Sequence, residues 1–237
     1  LRSLLLRAAA RDSRRSQLCL VVHDVSMQIA ILGTGPVGRA LGKAFSAAGH
    51  EVVIGTRDPE QTKQREEWAG LDLPLAAYQD LGADVFINAT NGQGSLAALR
   101  AVGDALNGKV VIDTSNALDF SHGFPPSLFV SNTDSLAEQL QRALPETQLV
   151  KMFNTMNNQV MGNPRVLGVD STIFVAGNDV TARQTAASLA ARSGLDRRIR
   201  PGRSHRSPRP RDVPSAMGAD ACSARPRRVQ HQSRPLI

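Results

Sequence analysis

Gly33-Thr34-Gly35-Pro36-Val37-Gly38 narrows the choice of folds more than any other stretch of the chain. It closes the apolar run "MQIAILG" (27–33) and opens "PVGRALGKAFSAAG" (36–49), where Val37, Ala40, Leu41, Ala44 and Phe45 recur at helical spacing. A short apolar run without alternation reads as a strand buried on both faces. A G-x-G-x-x-G placed between such a strand and a helix gives each glycine a separate task. The first permits the tight turn, the second lets the backbone approach a pyrophosphate, and the third lets the helix pack close to the strand. The helix N-terminus then offers unpaired N–H groups and a positive dipole end to phosphates. The plainer alternative is a tight strand–helix turn with no ligand.

The alternation continues along the chain. Strand-like "EVVIGT" (51–56), "DVFINAT" (84–90), "KVVIDT" (109–114), "QLVKMFNT" (148–155) and "STIFVAG" (171–177) are interleaved with helical periods at 95–106, 134–144 and 179–194. This predicts an α/β fold, a Rossmann-type doubly wound, mainly parallel sheet with helices on both faces.

An NAD site carries an acidic residue about 20 residues beyond the glycines, on the ribose 2′-hydroxyl. Here the second strand ends Ile54-Gly55-Thr56-Arg57. A hydroxyl and a guanidinium stand where a carboxylate would repel a 2′-phosphate, and the planar fork of Arg suits phosphate. Lys63 adds charge from the following helix, and Asp58 reads as its N-cap with Pro59 at the first position. NADP(H) is therefore the expected cofactor. The alternative for Arg57 is an ordinary solvated charge.

The net charge of +7 suggests an anionic partner until its placement is examined. Residues 1–26 carry +3 and residues 196–237 carry +8, which leaves −4 for the body at 27–195. Both cysteines, Cys19 and Cys222, lie in those ends, so the body offers neither a disulfide framework nor a Cys-based metal site. No apolar run approaches the roughly 20 residues of a membrane-spanning helix. No membrane association is expected, and a cytoplasmic protein is. The first 26 residues precede Met27 and are Arg-rich and acid-poor, as a transit peptide would be. They are read here as a disordered upstream or targeting extension. Residues 27–194 form the NADP-binding domain.

"MQIAILGTGPVGRALGKAFSAAGHEVVIGTRDPE", "VVIDTSNALD" and "VKMFNTMNNQVMGNP" together resemble the NADP-dependent oxidoreductases related to deazaflavin (coenzyme F-420) reductases, whose cofactor domain is of the pyrroline-carboxylate-reductase type. The resemblance spans about 27–194. It implies hydride transfer between NADP(H) and a small-molecule acceptor at the carboxyl ends of the strands, with coenzyme F-420 the first candidate. Carried over residue by residue, it implies cofactor contacts from Gly33, Thr34, Gly35, Pro36, Val37 and Gly38, and a 2′-phosphate pair in Thr56 and Arg57. Thr90 and Asn91, Ser115 and Asn116, and Asn154, Thr155 and Met156 would line the nicotinamide pocket. Each of these also reads as a turn former. One stretch departs from the family: "NATNGQGSL" is polar where the deazaflavin reductases are apolar, which leaves room for a different acceptor.

No acid–base pair, nucleophile or metal-ligand spacing stands out, so no catalytic residue is named. His122 in "DFSHGFPP" is the one histidine in a candidate active-site loop, with a plain loop histidine as its alternative. Asp113, at the end of a buried strand, is expected to bond nearby backbone. Hydride transfer to a deazaflavin asks mainly for positioning, since the cofactor carries the chemistry.

Residues 195–237 hold six Pro, eleven Arg and no aromatic residue. Family members by resemblance continue instead with a Leu-Thr-Gly-Ala-Arg-Asp-Leu-Glu-Met segment. Back-translating 204–220 with suitable codons and shifting by one base yields that segment. The tail is thus expected to be frame-shifted and disordered, the acceptor to be held poorly, and a homodimer to require an intact C-terminal region. Two other readings stay open: a non-catalytic NADP(H)-binding or redox-sensing protein, and nucleic-acid binding through the basic ends. The second is disfavoured by the lack of interleaved aromatic residues.

Overall fold

Strands and helices follow one another as the hydrophobic pattern predicts, and the sheet they build sets out the loops that matter. A computed structural model describes residues 26–169, 172–192, 194 and 199–201. The predicted extension at 1–26 and the tail at 195–237 lie outside these, apart from Ser26 and 199–201.

β1 (Gln28–Leu32), α1 (Pro36–Ala47) and β2 (Glu51–Thr56) make the first unit, followed by the short α2 (Pro59–Lys63) and β3 (Leu75–Ala77). β4 (Val85–Asn88), α3 (Ser95–Val102) and β5 (Val110–Asp113) make the second. β6 (Leu118–Asp119) and β7 (Ser127–Leu128) form a small hairpin before α4 (Leu136–Ala143). β8 (Gln148–Met152), α5 (Asn158–Gly162), β9 (Ile173–Gly177), α6 (Val180–Arg192) and β10 (Ile199–Pro201) complete the described chain.

Among the described residues the main sheet has eight strands in the order β10-β9-β8-β5-β4-β1-β2-β3. Every pair is parallel except β8 and β9. The expected mainly parallel sheet is present, with one antiparallel pair. Its cause lies in α5, which is too short to carry the chain across the sheet and rests on α1, a Cβ at Gly162 falling 3.4 Å from that of Ala40. The chain therefore stays at the carboxyl edge and re-enters from there. β10 also extends the sheet beyond the strand signals, which end with "STIFVAG" at Gly177.

Successive residues of a strand face opposite sides. Ile29 and Ile31 of β1 pack with Leu41 and Phe45 of α1 and with Ala186 and Leu189 of α6, while Ala30 and Leu32 pack with Leu99 of α3 and Leu140 of α4. Both faces of the central strands are thus buried under helices, which is why their sequences are continuously apolar.

α4 begins with a side-chain N-cap, and the backbone N–H of its capping residue donates to Asp134 Oδ1 at 2.9 Å. Ser135 Oγ accepts from Glu138 N at 3.2 Å and donates to Glu138 Oε2 at 2.9 Å. Just before it, Asp134 accepts from both terminal nitrogens of Arg142, at 3.1 and 2.7 Å. These bonds, with one from Gln139, lower its carboxyl from 3.8 to about 2. A carboxyl depressed by folding stabilises the fold above its unfolded value and loses that contribution as pH falls through about 2. Arg142→Gln is thus expected to melt below wild type at neutral pH, and the gap to close on acidification toward that value. Paired thermal melts across the acid range check this.

Candidate functional site

Strand order reverses at β1, with β2 and β3 on one side and β4, β5 and β8 on the other. Loops leaving the carboxyl ends of neighbouring strands diverge at such a point and open a crevice. Two cavities occupy it, of about 790 and 530 Å³. They share Val37, Ala89, Thr90 and Asn91 as a common wall, so the two form one groove along the sheet edge.

The glycine loop forms the floor of the first cavity. Gly33 has φ +118°, and a Cβ there would fall 2.6 Å from the Ala89 carbonyl oxygen. Gly38 lies against the same turn, where a Cβ would sit 2.0 Å from the Gly33 carbonyl oxygen. Only hydrogen fits at either position, as expected of a tight turn with a helix packed onto it. Gly35 differs: a Cβ there meets nothing within 4 Å, because it faces the cavity. α1 starts at Pro36, so the amides of Val37 and Gly38 have no partner within the helix and are free to serve an anion.

Gly33, Thr34, Gly35, Pro36 and Val37 line this cavity, and so do Thr56 and Arg57 from the end of β2 and Thr90 and Asn91 from the end of β4. Gly38 lies beneath it. The Thr56 hydroxyl is engaged with that of Thr62 at 2.9 Å and is buried, so it fixes the turn into α2. Asp58 caps α2 as expected, accepting from Gln61 N at 2.9 Å.

Lys63 lies apart from these residues. It lines neither cavity and pairs with Glu60 at 3.0 Å on the exposed side of α2. Thr62, beside it, takes the buried side of that single short helix. The i,i+3 spacing of Glu60 and Lys63 was a visible sign of a surface pair. Arg65 and Tyr78, which carried no motif, line the cavity instead. Burial raises the Tyr78 phenol pKa, and the nearby Arg57 opposes that shift.

Thr90, Asn91, Ser115, Asn116, Asn154 and Met156 line the second cavity, while Thr155 lies in the same loop but lines neither. Asn116 and Asn154 clasp each other across it: Asn116 Nδ2 donates to Asn154 O at 2.9 Å, and Asn154 Nδ2 to Asn116 Oδ1 at 3.3 Å. Asn91 is also a turn former, its Oδ1 accepting from Gly94 N at 2.7 Å. Sequence reasoning missed the hairpin side of this cavity, where Leu118 and Phe120 join Met156 and Met161 as an apolar wall. A two-residue strand pair leaves almost no periodic signal to find.

His122 is exposed and outside both cavities. Among the described residues the one carboxylate lining the second cavity is Asp119, held below the usual range chiefly by the Ser121 backbone amide, at 2.9 Å. It is an anion at neutral pH and has no proton to give. No cluster of metal-ligating side chains occurs among the described residues, and none of their helices is long and apolar enough to cross a membrane.

Beneath the groove runs a buried polar chain. Asp113 accepts from Lys151 Nζ at 2.8 Å, Asn88 Nδ2 at 2.8 Å, and Ser115 N and Oγ at 3.1 and 2.7 Å. Asn88 Oδ1 in turn accepts from Thr90 Oγ1 at 2.7 Å, and Lys151 Nζ also donates to the Ser115 carbonyl oxygen. Asp113 thus bonds nearby backbone, as expected, and side chains of two neighbouring strands as well.

Residues 28–117 match the model of the family described as "NADP oxidoreductase coenzyme F420-dependent". The chain is 30% identical over 181 residues to the F420-dependent NADP reductase of Methanothermobacter marburgensis, covering 69% of this chain and 79% of that protein. Among solved structures, a protein of Arthrobacter sp. FB24 described as an F420-dependent NADP-reductase is 46% identical with a TM-score of 0.69, covering 73% of this chain and 84% of that one. The pyrroline carboxylate reductase of Plasmodium falciparum, solved with NADP bound, is 13% identical with a TM-score of 0.50, covering 75% of this chain and 58% of that one, and shares the fold. On its motif, its groove and these likenesses, the chain belongs to the coenzyme F420-dependent NADP oxidoreductases.

Proposed function

We propose that the groove transfers a hydride between NADP(H), seated in the first cavity, and a deazaflavin of the coenzyme F420 type in the second. The observation that supports this reading is that Val37, Ala89, Thr90 and Asn91 line both cavities, so ligands seated in the two would be neighbours. The relatives named above as F420-dependent NADP reductases support the same pairing.

The residues present fit the nicotinamide cofactor. Open space over Gly35 and the free amides of Val37 and Gly38 suit a pyrophosphate. Arg57 suits a 2′-phosphate, and the neighbouring carboxylate of Asp58 is held in its cap. NADPH supplies the hydride when bound. The chain's own contribution is position. Asn116 and Asn154, fixed by each other, keep the strand ends at a set spacing. The apolar surfaces of Phe120, Leu118, Met156 and Met161 suit a flat heteroaromatic ring. The polar stretch noted in the sequence also lines this cavity, as Asn91, Gly92 and Gln93. The acceptor cavity thus combines apolar and polar lining.

The test is a pair of measurements on the purified chain. NADPH binding is followed by fluorescence, and deazaflavin reduction by loss of its absorbance. Arg57→Met is expected to weaken NADPH roughly 10- to 100-fold, equivalent to losing about 1.5–3 kcal/mol of charge-assisted hydrogen bonding, and to leave NADH almost unaffected. Equal loss for both nucleotides would place Arg57 away from the 2′-phosphate. Binding of NADPH with no turnover of any deazaflavin would remove the acceptor half of the reading.

A further inference from the structure

Arg57 does not stand alone in the first cavity. Arg65 lines it too, and its Nη1 donates to Thr34 Oγ1 at 3.1 Å, in the middle of the glycine loop. Thr34 and Arg57 follow the ends of neighbouring strands. Leu32 pairs with Gly55, and Gly33 N donates to Gly55 O at 3.0 Å, so the two loops leave the sheet side by side. The Arg65 guanidinium therefore stands where the ends of β1 and β2 meet, the end of the cavity that Arg57 occupies.

Its backbone is fixed from both directions. Arg65 N donates to Thr62 O at 3.2 Å, and Trp68 N donates to Arg65 O at 2.9 Å. The Trp68 ring is buried, and its Nε1 donates to Thr34 O at 3.3 Å, tying the segment after α2 to the glycine loop. Among the described residues Thr34 is the hydrogen-bond partner of the Arg65 side chain, which enters no ion pair. Glu67, two residues on, lies by Arg39 at 3.9 Å. A guanidinium has five donors in a planar fork, and one hydroxyl uses a single donor. The remaining fork is available to an oxyanion.

We propose that Arg65 is a second guanidinium for the 2′-phosphate of NADP(H), and that with Arg57 it sets the preference for NADP(H) over NAD(H). This rests on the reading that the first cavity holds NADP(H). Two Arg groups reaching one phosphate from separate segments place paired, charge-assisted bonds on more than one oxygen. Thr34 holds the second of them in place.

Dissociation constants for NADPH and NADH, measured by fluorescence on wild type, Arg57→Met, Arg65→Met and Arg65→Lys, test this without reference to turnover. Wild-type preference for NADPH and its loss in Arg57→Met establish the underlying reading; failure of both overturns that reading and this one together. With those in hand, Arg65→Met is expected to weaken NADPH roughly tenfold or more while NADH changes by less than about twofold, and Arg65→Lys to recover part of the loss. Unchanged NADPH affinity in Arg65→Met overturns the proposal. Equal weakening of NADPH and NADH also overturns it, because the residue would then act on the pyrophosphate or merely brace Thr34. Should Arg65→Met melt early, Arg65→Lys alone decides, since a lysine keeps the charge and loses the fork. Selective weakening of NADPH in Arg65→Lys supports the proposal, and wild-type selectivity overturns it.

Discussion

Gly38→Ala is expected to lower the melting temperature sharply, and Gly35→Ala to leave it unchanged while weakening NADPH binding at least tenfold. The two glycines stand three residues apart in one loop, and the same methyl group meets opposite surroundings. At Gly38 it would fall 2.0 Å from the Gly33 carbonyl oxygen, a backbone atom that no rotamer change can move aside. α1 must lift from the turn, at a cost near the upper end of overpacking. That is about 3 kcal/mol, or roughly 6–12 °C for a domain of this size. At Gly35, φ is −75°, which alanine adopts freely, and the methyl meets nothing within 4 Å. The fold is indifferent to it. The methyl takes the space assigned here to the pyrophosphate, so NADPH affinity should drop at least tenfold, in line with about 1.5–3 kcal/mol for a lost charge-assisted bond. Thermal melts and fluorescence titrations on both variants separate the effects. Normal NADPH binding by Gly35→Ala would remove the glycine loop from the cofactor site.

The sequence was most legible where chemistry is local. A strand, a glycine loop and a helix in immediate succession carry their own geometry, and the first cavity follows from Gly33, Gly35 and Arg57 at the ends of two adjacent strands. Legibility fell where placement depends on what packs from elsewhere. "STIFVAG" reads as a strand in either direction. Its antiparallel pairing with β8 follows from where α5 leaves the chain, which no hydropathy pattern encodes. Lys63 and Arg65 are both cations just past the second strand. Which one enters the cavity depends on α2 ending after Lys63, on the burial of Thr62 and on the tie from Trp68 to Thr34. Phe120 lines the acceptor side through a hairpin too short to leave a period. Polar residues inside apolar strands gave a signal that only register could interpret. Asp113 faces Asn88 on one neighbour and Lys151 on the other, from segments 25 and 38 residues away.

That cross-strand set carries the other large expected effect. Lys151→Met removes the cation 2.8 Å from a carboxylate that is wholly buried. Breaking a buried pair from one side costs about 3–5 kcal/mol, because the remaining charge keeps its desolvation penalty without its partner. Asn88 and Ser115 still donate to Asp113, which sets the expectation at the lower end of that range. The double variant Lys151→Met/Asp113→Asn is then expected to be more stable than Lys151→Met alone, since an amide in place of the carboxylate leaves no uncompensated charge. The site should register the change unequally. Ser115 lines the second cavity only and is held by both members of the pair. Among the described residues no hydrogen bond joins the glycine loop or Arg57 to Ser115, Asp113 or Lys151. Lys151→Met should therefore raise the acceptor KM by more than it raises the NADPH dissociation constant. Chemical denaturation of the two variants, with both binding constants, checks each part. A Lys151→Met protein as stable as wild type would mean that the bonds from Asn88 and Ser115 suffice to hold the buried carboxylate. The ion pair would then be a passenger on strand register rather than a support for the acceptor wall.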